Sequence, residues 1–366
     1  MTLSSQPADH PPTLLPTFEQ DVRIGALKLA NGELLDDVVQ RVTIYGTPRA
    51  DSSNVVFVPH ALTGSGRLTD WWEGFIGPGR ALDTDRIALV GINVLGSCYG
   101  STGPSSLAAN GKPYGSRFPV VSVADMVSAQ QAALAKLGIG RMAGVIGGSL
   151  GAMQGLQWIL REPDRFRYGM ILGAYDYFSA MNLALNALSR AAIQYDPHFC
   201  AGDYYDGVAP EYGVRLARMI AMVTYKSKVL LEERFGRRPD RAGGDPAKDP
   251  RARFDVESYL EYQGKKFVSR MDANTYLALT RAMDLFDLRD HPTAATTTEL
   301  TFVGIDSDWL FTASEIEEAA QRFRLRGFPV SSYVLHSSHG HDAFLADLPD
   351  LAALLRPSLR ALYGSL

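Results

Sequence analysis

Val145-Ile146-Gly147-Gly148-Ser149-Leu150-Gly151 reads as a buried strand running into a sharp turn and then a helix, with Ser149 at the bend. Met142 to Ile146 is a short apolar run with β-branched residues, and Ala152 to Leu160 carries apolar side chains at helical spacing. That order of elements is what a G-x-S-x-G elbow requires. A tight strand-to-helix turn strains the serine backbone, so glycines flank it wherever a side chain would collide with neighbouring chain. The bend also brings the serine oxygen to a helix N-terminus, where the amide of Leu150 lacks an intrahelical partner and is available to an oxyanion. A bare G-x-S-x-G arises by chance in a glycine-rich chain; the strand before and the helix after make Ser149 a candidate nucleophile.

Outward from the elbow, strand and helix patterns alternate. Val22 to Leu29 and Val38 to Tyr45 are β-branched and aromatic runs joined through the turn signal Asn31-Gly32, which suggests an antiparallel edge. Asn54 to Val58 is a buried-type strand that ends in Pro59-His60-Ala61-Leu62-Thr63-Gly64, a loop at the strand end where α/β sheets place ligands. Arg86 to Val94 is the next apolar run and discharges into the small-residue loop Leu95 to Pro104. That loop lacks the Lys-Ser/Thr ending of a nucleotide-binding P-loop. Ser122 to Leu137 is a helix with an N-cap at Ser122 and an acid, Asp125, three residues on. Arg167 to Gly173 supplies a further strand.

From about Asp176 to Asp290 the period is helical without strands, and Arg234 to Arg253, dense in charge, glycine and proline, reads as an exposed loop between helices. Strand patterns resume at Glu299 to Ile305 and Val330 to Leu335, separated by a helix opening with a capping box at Thr312 and Glu315. No internal repeat occurs. The pattern predicts an α/β-hydrolase arrangement, a mostly parallel sheet with an inserted helical lid over its carboxyl edge. The expected organisation is a flexible tail over 1–20, a core over 21–175 and 296–366, and a lid over 176–295.

Composition narrows the class of protein. With 366 residues and 46% hydrophobic content the chain can bury a large core. A formal net charge of -4 from nearly balanced acids and bases recommends neither nucleic acid nor an anionic membrane as partner. Cys98 and Cys200, the two cysteines, are too few for a disulfide framework or a four-cysteine zinc site and suggest a reducing compartment. The opening residues have neither the basic start nor the apolar run of a signal peptide, and no stretch of about 18 uninterrupted apolar residues occurs. A cytoplasmic protein acting on a small molecule is expected.

A serine hydroxyl needs an imidazole to take its proton and a carboxylate to hold the imidazole in the right tautomer. In this fold the three appear in the order serine, acid, histidine. Asp306 and Asp308 follow the strand ending at Ile305, and His336, His339 and His341 follow the strand ending at Leu335. Spacing alone does not choose among them, and Asp306 also suits a turn or cap. A metal centre is disfavoured, since the three histidines have no second ligand cluster.

The strings HALTG, DTDRIALVGINVLGSCYGSTGPSS, FPVVSVADMV, GGSLGAMQGLQW, SDWLF and GHDAFL resemble the homoserine O-acetyltransferase family of the α/β-hydrolase fold, and the likeness runs from about Asn54 to Leu345. It includes lid helices such as GVRLARMIAMVTYKS. The resemblance implies Asp308 of SDWLF as the acid, His341 of GHDAFL as the base, and the amides of Leu62 and Leu150 as the oxyanion hole. It further implies that Arg218 and Tyr225 hold the acceptor amino acid, with its carboxylate on Arg218, and that Asp342 meets its ammonium group. Read without the resemblance, Arg218 suits a helix-surface ion pair, Tyr225 a packed ring and Asp342 a helix cap.

The implied reaction is transfer of acetyl from acetyl-CoA, as co-substrate and with no bound cofactor, to L-homoserine through a Ser149 acyl-enzyme, a step toward methionine. The alternatives are homoserine or serine O-succinyl transfer on the same triad, a plain esterase or thioesterase, and a scaffold without catalysis. The resemblance also implies a homodimer paired through the lid helices.

Overall fold

The computed structural model describes residues 14–294 and 296–366. A strand covered on both faces must be apolar throughout. Val55–Phe57 (β3), Ala88–Ile92 (β4) and Met142–Gly148 (β5) meet that condition and are buried at every position. They form the centre of one eight-stranded sheet with β1 (Phe18–Lys28), β2 (Leu34–Tyr45), β6 (Phe166–Leu172), β7 (Glu299–Ile305) and β8 (Val330–Leu335), in the order β1-β2-β4-β3-β5-β6-β7-β8. The β1/β2 and β2/β4 pairings are antiparallel and the others parallel, so the expected antiparallel edge adjoins a parallel sheet.

Helices cover both faces. On one side α2 (Val123–Lys136), α3 (Leu150–Arg161) and α9 (Ala313–Leu325) pack with Trp158 and Phe323 wholly buried. On the other, α1 (Thr69–Trp72), α10 (Ala343–Ala346) and α11 (Leu348–Gly364) press Trp72, Leu351, Leu355 and Leu359 onto the sheet. Both expected capping boxes form, at Ser122/Asp125 and at Thr312/Glu315.

Between β6 and β7 stand α4 (Ala180–Gln194), α5 (Glu211–Tyr225), α6 (Lys228–Arg234), α7 (Asp255–Val268) and α8 (Ala273–Asp284). The ion pair Arg190–Asp284, 2.6 Å long and almost fully buried, ties α4 to α8, and Asn186 donates to the same carboxylate at 2.9 Å. Among the described residues no helix is long and apolar enough to cross a membrane.

The expected tail needs correction at its end. Its residues 1–13 lie outside the described residues. Thr17 donates through both its amide and its hydroxyl to the Ile44 carbonyl, at 2.8 and 3.0 Å, and Phe18 already belongs to β1. The unpaired backbone groups along the edge of β2 draw the chain into the sheet from this point, overriding its polar composition.

Candidate active site

The elbow forms as its sequence demands. Ser149 follows β5 directly and is the N-cap residue of α3, with φ 56° and ψ -125°, in the region that L-residues rarely adopt. A Cβ on Gly148 would overlap the Phe344 ring, and one on Gly151 would overlap the carbonyl oxygen of Pro59. These glycines therefore let α10 and the Pro59 loop close onto the elbow. Gly151→Ala is expected to cost about 2 kcal/mol through overpacking and to push the Pro59–Leu62 loop off the serine. A thermal midpoint equal to wild type would contradict that packing.

All three candidate histidines find a carboxylate. His336 Nδ1 lies 2.8 Å from Asp306, with the His336 side chain 82% exposed, and His339 Nδ1 lies 2.9 Å from Asp347. His341 Nδ1 lies 2.6 Å from Asp308 Oδ2, and here the histidine side chain is 4% exposed and the aspartate 0%. Asp308 Oδ1 accepts from the amides of Leu310, at 2.8 Å, and Phe311, at 3.0 Å, so the carboxylate is held from both ends. Phe311 stacks on the imidazole at 5.1 Å between centroids and Phe344 meets it edge-on at 5.6 Å. His341 Nε2 is buried and without a hydrogen-bond partner among the described residues. Burial presses the His341 pKa down, but the charge and hydrogen bond of Asp308, with help from Asp342, leave it raised above the ordinary value.

Ser149 and His341 both lie beside the end of β6. The Ser149 amide donates to Leu172 O at 2.9 Å, and a Cβ on the next residue, Gly173, would touch His341 Cε1 at 3.4 Å. Ser149 and Leu62 line a cavity of about 30 Å³ together with Tyr225 and Phe311, both of which pack on His341.

A buried polar chain carries the Leu62 loop. Trp158 Nε1 donates to Gln130 Oε1 at 2.7 Å, Gln130 Nε2 to Gln154 Oε1 at 2.6 Å, and Gln154 Nε2 to both His60 O, at 3.2 Å, and Leu150 O, at 3.1 Å. Gln154 thus joins the loop of Leu62 to the first turn of α3. His60 is neutral, its pKa pushed by burial down to about 4, and its Nε2 accepts from the Val94 amide at 3.1 Å. Each polar group is satisfied, which makes the assembly rigid.

The lid contributes from α5 and the turn after it. The Arg218 guanidinium lies over the rings of Phe267, at 4.9 Å, and Tyr225, at 5.7 Å, and its Nε and Nη1 are buried without a partner among the described residues. Among the described residues the surface ion pair conceivable from sequence does not form. Tyr225 is packed 5.9 Å from His341, and burial raises its pKa. Asp342 makes no cap hydrogen bond and instead pairs with Lys226 at 2.8 Å. Lys226 does not stand out in the sequence: a lysine ending a helix reads as a complement to the dipole, and nothing local links it to a residue 116 positions away. Further bonds clasp this corner to the loops that carry Asp308 and His341, from Trp309 Nε1 to Lys226 O at 3.1 Å and from Ser227 Oγ to Ser338 O.

Residues 54–348 match the family of the alpha/beta hydrolase fold. A homoserine O-succinyltransferase of Cupriavidus taiwanensis is 43% identical over 90% of this chain and 88% of its own length. A homoserine O-acetyltransferase of Rhodopseudomonas palustris is 40% identical over 97% and 92%. Among solved structures, homoserine O-acetyltransferase from Bacillus anthracis gives a TM-score of 0.83 at 20% identity, covering 94% of this chain and 97% of that one. Esterase E22 gives 0.83 at 24% identity, covering 94% and 99%. At these identities the two structures share the fold with this chain, and nothing further follows from them.

Proposed function

The chain belongs to the homoserine O-acyltransferases of the alpha/beta hydrolase fold, and from that premise we propose that it moves an acetyl group from acetyl-CoA to the hydroxyl of L-homoserine through an ester on Ser149. The buried His341–Asp308 pair, with Nε2 unpartnered, carries the reading. Ser149 Oγ attacks the thioester carbonyl as its proton passes to His341 Nε2. The amides of Leu62 and Leu150 receive the oxyanion, and collapse returns the proton to the departing CoA sulfur. Homoserine then gives its hydroxyl proton to Nε2 and its oxygen to the acyl carbon, and Ser149 recovers the proton. Asp308 holds the imidazole in the tautomer with Nδ1 protonated.

Two guanidinium nitrogens of Arg218, Nε and Nη1, buried without a partner among the described residues, support an amino-acid acceptor rather than water, because buried donors left unsatisfied are costly and a carboxylate would satisfy them bidentately. Asp342 faces a cation already, in Lys226, and in this reading exchanges it for the substrate ammonium. Arg218→Leu is expected to raise KM for homoserine roughly 10- to 100-fold, the worth of a charged hydrogen bond, while the first burst of thiol from acetyl-CoA persists. An unchanged KM would leave water or another acceptor as the better choice.

The lining of the cavity at Ser149, which holds no lysine or arginine to meet a second carboxylate, supports acetyl over succinyl. The succinyl alternative draws on the relatives of that name at 42–43% identity. Thiol release measured with each acyl-CoA, with homoserine, serine or no acceptor, decides between them; sustained release without acceptor would make the protein a hydrolase. Exposed apolar side chains on α4 and α5, among them Met181, Leu188 and Val223, support pairing of two copies through the lid, which the solution mass would test.

A further inference from the structure

The loop Leu95 to Pro104 has no part in the chemistry above, yet with the Leu62 loop it walls a cavity of about 640 Å³, a size typical of ligand sites. Ala61 and Thr63 line this cavity while Leu62 between them lines the one at Ser149, so the two share the oxyanion loop as a wall. We propose that this cavity holds the nucleotide end of the acyl-CoA donor, its phosphates on Arg270, Arg67 and Arg41 and its adenine against Trp71. The proposal rests on the acyl-CoA reading above.

Charge and shape both support a phosphorylated aromatic ligand. Three arginines line the cavity against two acids, Glu19 and Asp70. Arg41 pairs with Asp21 at 2.6 Å and Arg67 with Glu19 at 2.8 Å, at exposed positions where such pairs are weak and can yield to a phosphate. Arg270, on the lid between α7 and α8, has no carboxylate partner among the described residues. Its guanidinium donates to Thr63 O and lies 3.4 Å from the Tyr99 hydroxyl. Trp71 is half-buried, its indole N–H fixed on Ser65 O at 3.0 Å, and a fixed indole is a stacking plate for a base.

The walls are tied before any ligand arrives. Asn93 accepts from the Gly66 amide at 2.6 Å and donates to Tyr99 O, joining the two loops, and Tyr99 donates to Arg270 O at 2.5 Å, joining them to the lid. Such a site needs little reordering on binding.

The test compares acetyl-CoA with acetyl-pantetheine, which carries the same thioester without the nucleotide, in wild type and in the Arg67→Gln and Arg270→Gln variants, with homoserine as acceptor. Wild type should prefer acetyl-CoA in kcat/KM, and each variant should lose roughly tenfold of that preference, about one charge-assisted contact. Because Arg270 also touches Thr63, only the ratio of the two donors counts, since a displaced oxyanion loop lowers both alike. Adenosine 3′,5′-bisphosphate should compete with acetyl-CoA in wild type and more weakly in the variants. A wild type that treats both donors equally, or variants that keep the wild-type ratio, would overturn the nucleotide site and leave the reaction standing. A wild type that uses neither thioester would remove the donor reading and this inference with it.

Discussion

Ser149→Ala is expected to reduce homoserine-dependent thiol release by roughly a millionfold. The size follows from the role. Without Oγ there is no atom to form the ester, and an alanine there keeps the same backbone bend, so binding of both substrates should survive. Intact-protein mass spectra of wild type mixed with acetyl-CoA alone should show an acyl adduct that the variant lacks. A variant within about a hundredfold of wild type would mean direct transfer between the substrates and would sink the covalent intermediate.

Asp308→Asn is expected to lower kcat about ten-thousandfold, while Asp306→Asn leaves turnover as in wild type. Both aspartates touch a histidine Nδ1, at 2.6 and 2.8 Å. An amide in place of the Asp308 carboxylate would donate to Nδ1 and shift the imidazole proton to Nε2, where a base needs a lone pair. Around the exposed His336, water accommodates either tautomer. The pH profile adds a signed expectation. Neutral His341 is the active form, so kcat/KM should fall as pH drops through its pKa, which lies above 6.5 in wild type. The Asp308→Asn change removes the charge that raises this pKa and leaves the burial that lowers it, so the acid limb should move to lower pH. Equal losses in the two variants, or an acid limb that stays in place, would refute the assignment.

The expected strands recur within a few residues of their places because each is a continuous apolar run bounded by turn residues. Both capping boxes form because their hydrogen bonds join residues three apart. The resemblance to a family chose Asp308 and His341, a choice the residues alone left open. Lys226, the short helices α1 and α10, and the cavity beneath Trp71 escaped the sequence because each depends on which distant loops face one another.

What the sequence by itself determined is therefore local. The glycines around Ser149 dictate a strained elbow, and the alternation of runs around it dictates a parallel sheet with helices inserted before the acid. Tertiary structure alone decided which ionisable groups leave water. Three histidines within six positions each reach a carboxylate, and only His341 is carried beneath Phe311 and Phe344. The same packing strips Arg218 of solvent on two nitrogens and sets Lys226 against Asp342. Desolvation sums over every neighbour a side chain acquires, and those neighbours come from loops that the chain brings together only on folding.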